Sequence, residues 1–120
     1  MRFLLISFWL MAGGAEAQTV RILVQQSPLA GAQYYETKAL WNDMKPDDSL
    51  TLIREPDNVH DRQAVRVEWQ GHKLGFLPRA ENRAVASEMD QGTRVEARIG
   101  GMVPHKNPWR RVLIDVFVTF

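Results

Sequence analysis

Leu52-Ile53-Arg54-Glu55-Pro56-Asp57-Asn58-Val59-His60-Asp61-Arg62-Gln63-Ala64-Val65 decides how this chain is read. Apolar and polar residues alternate up to Arg54, give way to a polar loop fixed by Pro56, and resume beyond Gln63. The pattern predicts a strand over residues 49–54, with Leu50, Leu52 and Arg54 on one face. A further strand is expected over residues 63–69, with Val65, Val67 and Trp69 alternating.

Working outward, Gln70-Gly71-His72 is a tight turn into a strand over residues 73–77. Gly75 within that strand predicts a bulge or a close approach of backbone. Pro78 stops it. Residues 79–90 then read as a helix with Ala80, Ala84, Val85 and Met89 on one stripe, closed by Gly92. Upstream, residues 19–25 form a β-branched strand broken at Ser27-Pro28-Leu29-Ala30-Gly31. Residues 34–44 carry Tyr35, Ala39, Leu40 and Met44 near helical spacing and predict a short helix ending before Pro46. Downstream, residues 93–103 form a strand interrupted at Gly100-Gly101 and ended by Pro104, which has no N–H for a ladder. Residues 109–118 close the chain as a sixth strand. The order β, short α, β, β, β, α, β, β is mainly β with helices. It predicts a compact six-stranded β-barrel capped by one short and one longer helix.

Composition narrows the function. The 120 residues suit one small domain. Lys and Arg number 15 against 14 Asp and Glu, a net charge of +1, which excludes binding by bulk positive charge and leaves room for a local basic groove. Zero cysteines excludes disulfides, thiolate metal sites and cysteine nucleophiles. At the N-terminus, Arg2 precedes the apolar run Phe3-Leu4-Leu5-Ile6-Ser7-Phe8-Trp9-Leu10-Met11-Ala12, and Ala15-Glu16-Ala17 supplies small residues around a cleavage point. Residues 1–17 therefore read as a signal peptide cleaved after Ala17, leaving residues 18–120 as the exported domain, periplasmic or secreted. The apolar run is about half the ~20 residues a spanning helix needs.

Two runs carry the most information. Residues 54–65 fit R-E-P-x-N-x-x-D-x-x-A-V, and residues 71–79 fit G-x-x-x-G-[YF]-[LV]-P-R. Together with the Tyr34-Tyr35 pair and the Met89-Asp90-Gln91-Gly92 helix end, they resemble the HIRAN domain over residues 19–118. The resemblance implies an OB-like six-stranded barrel that binds single-stranded DNA and grips a free 3′-hydroxyl end, without catalysis of its own. Matched by position, it implies that Asp61 accepts a hydrogen bond from the hydroxyl and that Tyr34, with Tyr35 beside it, stacks on a base. His60 stands where a relative carries tyrosine, and Gln33 where it carries arginine.

The same logic can be stated from chemistry. Single strands are held by aromatic faces and by cations that follow the backbone. A carboxylate beside a phosphodiester is unfavourable unless the strand ends there in a hydroxyl donor, so Asp61 would give end selectivity. The candidate site is Tyr34, Tyr35, His60, Asp61, Arg54, Arg79 and Phe76. Arg62, Arg83, Lys106, Arg110 and Arg111 are further phosphate candidates. Beside this, Asp57, Asn58 and Asp61 are ordinary turn residues, and Phe76, Trp41, Trp69 and Trp109 read as packing residues. His60, His72 and His105 lie in different loops without metal-ligand spacing, so no metal and no cofactor is expected. No G-x-x-x-x-G-K loop occurs, so the ATPase of larger relatives is absent and no enzyme activity is expected. An exported cell-envelope domain using the barrel for a peptide or glycan is the alternative; a small nuclease ranks third.

Overall fold

A computed structural model describes residues 19–120, so the expected signal peptide, residues 1–17, lies outside the described residues. Among these residues six strands form: β1 Arg21–Pro28, β2 Ser49–Glu55, β3 Ala64–Trp69, β4 His72–Phe76, β5 Val95–Met102 and β6 Val112–Thr119. Among the described residues two helices accompany them, α1 Thr37–Leu40 and α2 Arg83–Asp90, with 3-10 turns at Ala32–Tyr34 and Pro108–Arg110. The mainly β composition and the short and longer helix match the expectation. Among the described residues no helix is long and apolar enough to cross a membrane.

All strand pairs are antiparallel, in the order β1-β6-β5-β2-β3-β4. The expected barrel is not closed by strand pairing, because β1 and β4 stand at opposite ends of the sheet. A single bridge spans the gap: Ala30 and Phe76 exchange two backbone hydrogen bonds of 2.9 Å. The sheet is also thin in its middle, where β2 pairs with β5 at Ser49 opposite Arg98 and Leu50 opposite Ala97, and Asp47 and Asp48 extend the join by one backbone hydrogen bond each to Ile99. It is best described as two three-stranded halves, β1-β6-β5 and β2-β3-β4, curled toward each other.

The hairpin that the opening stretch predicts is present. Leu52 faces Val67 and Arg54 faces Val65. Gln70 and Gly71 make the next turn with φ of 47° and 82°, the doubly left-handed form that matches strand twist in a two-residue hairpin. Gly75 has φ 157°, and a Cβ there would collide with the Ala30 carbonyl oxygen. The β3–β4 register slips between Val67 and Glu68 beside it. The bulge and the close approach expected of this glycine both occur.

The core lies between the halves. Val65, Val67, Leu74, Ile99, Ile114 and Val116 are fully buried, with Val85 and Ala86 of α2 and Leu77 packed against them. Several boundaries differ from expectation, among them that of α2, which starts at Arg83 and not at residue 79 because a turn with Glu81 N–H donating to the Pro78 carbonyl comes first. β1 runs on through Pro28, which an edge strand tolerates because its missing N–H faces no partner. The first helix shrinks to one turn, since Glu36 N–H bonds the Lys73 carbonyl instead of a helical one. Trp109, expected as packing, is 45% exposed because it sits on the 3-10 turn before β6. Trp69 is buried as expected and donates to Asp48 Oδ2 at 3.1 Å.

Candidate functional site

The loop between β2 and β3 is built by Asn58. Its Oδ1 accepts the backbone N–H of His60 at 2.9 Å and of Asp61 at 3.2 Å, and its Nδ2 donates to Glu55 Oε1 at 2.9 Å. Asn58 is thus the turn-former that its residue type suggests. Asp61 has two loyalties. Its Oδ1 caps the N–H of Gln63 at 2.9 Å, and its Oδ2 accepts from Asn82 Nδ2 at 2.7 Å.

A pocket of about 330 Å³ opens beside this loop, between it, the Gly31–Tyr35 segment and the end of β4. It is lined by Tyr34, Tyr35, His60, Asp61, Phe76 and Arg79, six of the seven candidate residues. These come from three separated stretches of sequence, brought together by the Ala30–Phe76 bridge and the β2–β3 hairpin. Tyr34 is 77% exposed, a ring standing open rather than packed. Tyr35 meets Phe76 edge-to-face, with centroids 6.0 Å apart at 65°. A second opening of about 490 Å³, lined also by Arg62, shares His60, Asp61 and Arg79 with the first.

Arg54 is the exception among the seven. It does not line the pocket. Its guanidinium takes Asp90 through Nε (2.9 Å) and Nη2 (3.1 Å), and donates to the carbonyls of Ala64 (2.7 Å) and Arg62 (3.0 Å). The hydrogen bond from Arg54 holds the Asp90 carboxyl below its ordinary value. All three guanidinium nitrogens are engaged within the protein, which gives Arg54 a structural role in this fold. Arg111 is tied similarly, to the carbonyls of His105 and Lys106.

Sequence reasoning missed two contributors. Lys73 lines the pocket and holds its ammonium 4.3 Å from the Tyr35 ring centroid and 4.7 Å from that of Phe76. Among the described residues neither Lys73 nor Arg79 forms an ion pair, so both cations are open to an anion. Asn82 is the other. It is wholly buried, and its Oδ1 has no hydrogen-bond partner among the described residues, a cost of about 1–3 kcal/mol. In the structure it stands just before α2, where an asparagine ordinarily caps, yet its side chain caps nothing.

The electrostatics is mixed. Glu55, also on the pocket, is matched by Arg66 Nη1 at 2.9 Å. Asp61 is left with hydrogen-bond donors but no cation pair among the described residues. The three histidines stay apart. His60 lines the pocket, His72 stacks on Trp69 and meets Glu36 at 3.0 Å, and the His105 ring accepts from Asn107 N–H. Among the described residues no group of three or more His, Asp or Glu is placed to hold a metal ion.

An open antiparallel sheet with an aromatic-walled, carboxylate-bearing pocket at its bridged end defines a class of small β module. The chain belongs to the HIRAN domain family, which matches residues 22–120. Two solved structures share the fold. One is a protein from Lactobacillus plantarum, 21% identical, with a TM-score of 0.74, over 85% of this chain and 98% of that one. The other is the HIRAN domain of human HLTF, 20% identical, with a TM-score of 0.60, over 85% of this chain and 78% of that one. No curated protein matches.

Proposed function

We propose that this chain is a nucleic-acid-binding module that receives the end of a single strand, terminating in a 3′-hydroxyl, in the pocket between Tyr34 and Asp61, without a catalytic step of its own. The reading is carried by one observation: six residues chosen from sequence line one pocket of nucleotide-accepting size. The open Tyr34 ring supplies a stacking face worth about 1–3 kcal/mol per base. Lys73 and Arg79 supply unpaired cations for the last phosphates. Asp61 supplies an acceptor that welcomes a hydroxyl and repels a phosphate. The OB-like description belongs to the same proposal, with the Ala30–Phe76 bridge standing in for the closing ladder. So does export through residues 1–17, which N-terminal sequencing of the secreted product tests: a start at Gln18 supports it and retention of Met1 overturns it.

The test of function is a fluorescence-anisotropy titration of the 120-residue chain with a short labelled single strand ending in 3′-hydroxyl, and with the same strand ending in 3′-phosphate. Tighter binding of the hydroxyl strand, lost in Asp61→Ala, is expected. Equal affinity for the two ends, or none, overturns the reading and favours a non-nucleic-acid ligand in the same pocket. Salt must be fixed throughout, because phosphate contacts release counterions.

A further inference from the structure

We infer that Asn82 is a positioning residue: it holds the Asp61 carboxylate as a fixed acceptor, so that the group Asp61 meets in the pocket must be a hydrogen-bond donor. The inference rests on the pocket being the strand-end site proposed above. Asn82 itself is not among the pocket residues and is wholly buried. It occupies the residue before α2, where an asparagine side chain ordinarily accepts from the first free N–H groups of the helix. Here it makes no such bond. Its amide is turned to Asp61 instead, donating to Oδ2 at 2.7 Å, while its own carbonyl oxygen goes without a partner among the described residues.

Neither helix capping nor packing accounts for this side chain. Capping is forgone, and an apolar side chain of the same size would fill the space without stranding a buried acceptor. What Asn82 uniquely provides is an N–H aimed at one carboxylate oxygen. The amide cannot be reversed, because its oxygen would then face an oxygen. The N–H of Gln63 takes Oδ1 from within Asp61's own loop. The bond from Asn82 comes from a different element, 21 residues on, and ties the carboxylate to the start of α2. Each oxygen of an ionised carboxylate has two acceptor sites. One on each is therefore engaged by protein, and one on each remains for a ligand. A carboxylate so held accepts only, which selects a terminal hydroxyl over a terminus lacking a donor.

The experiment compares the full chain, Asn82→Leu and Asn82→Ser for binding to a single strand ending in 3′-hydroxyl and to the same strand ending in a 3′-dideoxy nucleotide. The native protein prefers the hydroxyl. Asn82→Leu loses that preference by roughly tenfold while its affinity for the dideoxy strand stays level, and the donor hydroxyl of Asn82→Ser recovers part of it. A purely structural role would lower both affinities together. Full hydroxyl preference in a folded Asn82→Leu overturns the inference and leaves the strand-end reading intact; no preference in the native protein overturns both. Should the variants not fold, the side-chain NH₂ resonances of Asn82 in the native protein decide. They shift on adding the hydroxyl strand and stay still with the dideoxy strand, and equal response to both refutes the assignment.

Discussion

Replacing Arg54 with alanine separates the two roles that its position allows. As a phosphate ligand, Arg54 would contribute to affinity, and Arg54→Ala would lower the salt slope of binding by about 1. The structure directs its guanidinium elsewhere. The side chain is 14% exposed and bonds two carbonyls, Ala64 at 2.7 Å and Arg62 at 3.0 Å, besides the Asp90 carboxylate. The two carbonyl bonds are charge-assisted, one of them partly buried, and their loss costs about 2–4 kcal/mol. For a domain of this size that lowers the melting temperature by roughly 10–25 °C. Thermal unfolding followed by circular dichroism measures the loss. Anisotropy titrations across a salt series, at a temperature where the variant is folded, measure the slope. An Arg54→Ala protein that melts within 3 °C of the native one, or whose salt slope falls by about 1, would refute this account of Arg54.

Further outcomes are expected elsewhere. Gly75→Ala drives a methyl into the Ala30 carbonyl; losing the two bridge hydrogen bonds and straining the backbone costs about 3–5 kcal/mol, read as a lower urea midpoint. A midpoint unchanged from native would show the bridge to be dispensable. Tyr34→Ala, at a 77% exposed ring, leaves the melting temperature within about 2 °C and weakens strand binding by roughly 5–150-fold, the equivalent of about 1–3 kcal/mol of stacking. Acid dependence follows from Asp90, lowered by the hydrogen bond from Arg54, and Glu96, lowered by the Thr119 hydroxyl and then Arg21. A carboxyl held low when folded stabilises the protein above its unfolded value and loses that contribution as pH falls through the folded one. The native melting temperature therefore drops below about pH 4, and Arg54→Ala shows a shallower drop. Parallel acid limbs would contradict the Asp90 contribution.

Strand positions were legible because period-2 alternation is local, and the punctuation by Pro56, Gly71 and Pro78 is local too. The conformational demand at Gly75 was visible for the same reason: an interior strand glycine signals that something comes close, though not that the Ala30 carbonyl is what comes. Closure was not legible. Whether β1 reaches β4 as a ladder or as one bridge depends on sheet curvature, and no residue pattern states it. The pocket residues were found through a motif whose spacing survives in the chain. The intramolecular contacts of Arg54 were not legible because a guanidinium serves a carbonyl as well as it serves a phosphate, and its main partner, Asp90, lies 36 residues away. Lys73 gave no signal apart from its charge, since only the fold sets it beside two rings. Asn82 gave none, because the helix was expected to begin upstream at residue 79 and an amide reaching back to Asp61 leaves no mark in sequence.

The slender β2–β5 join has a mechanical consequence. Two ladder pairs, extended by the Asp47–Ile99 and Ile99–Asp48 backbone hydrogen bonds, make a short weld, and the Ala30–Phe76 clasp fastens the far side. The pocket straddles that clasp, with Ala30 and Tyr34 on one jaw and Asp61 and Phe76 on the other. Whatever lodges there acts as a rivet between the jaws. Its arrival would be felt across the molecule as slower amide exchange at Leu50 and Ala97, so occupancy can be read at the weld without any probe near the ligand.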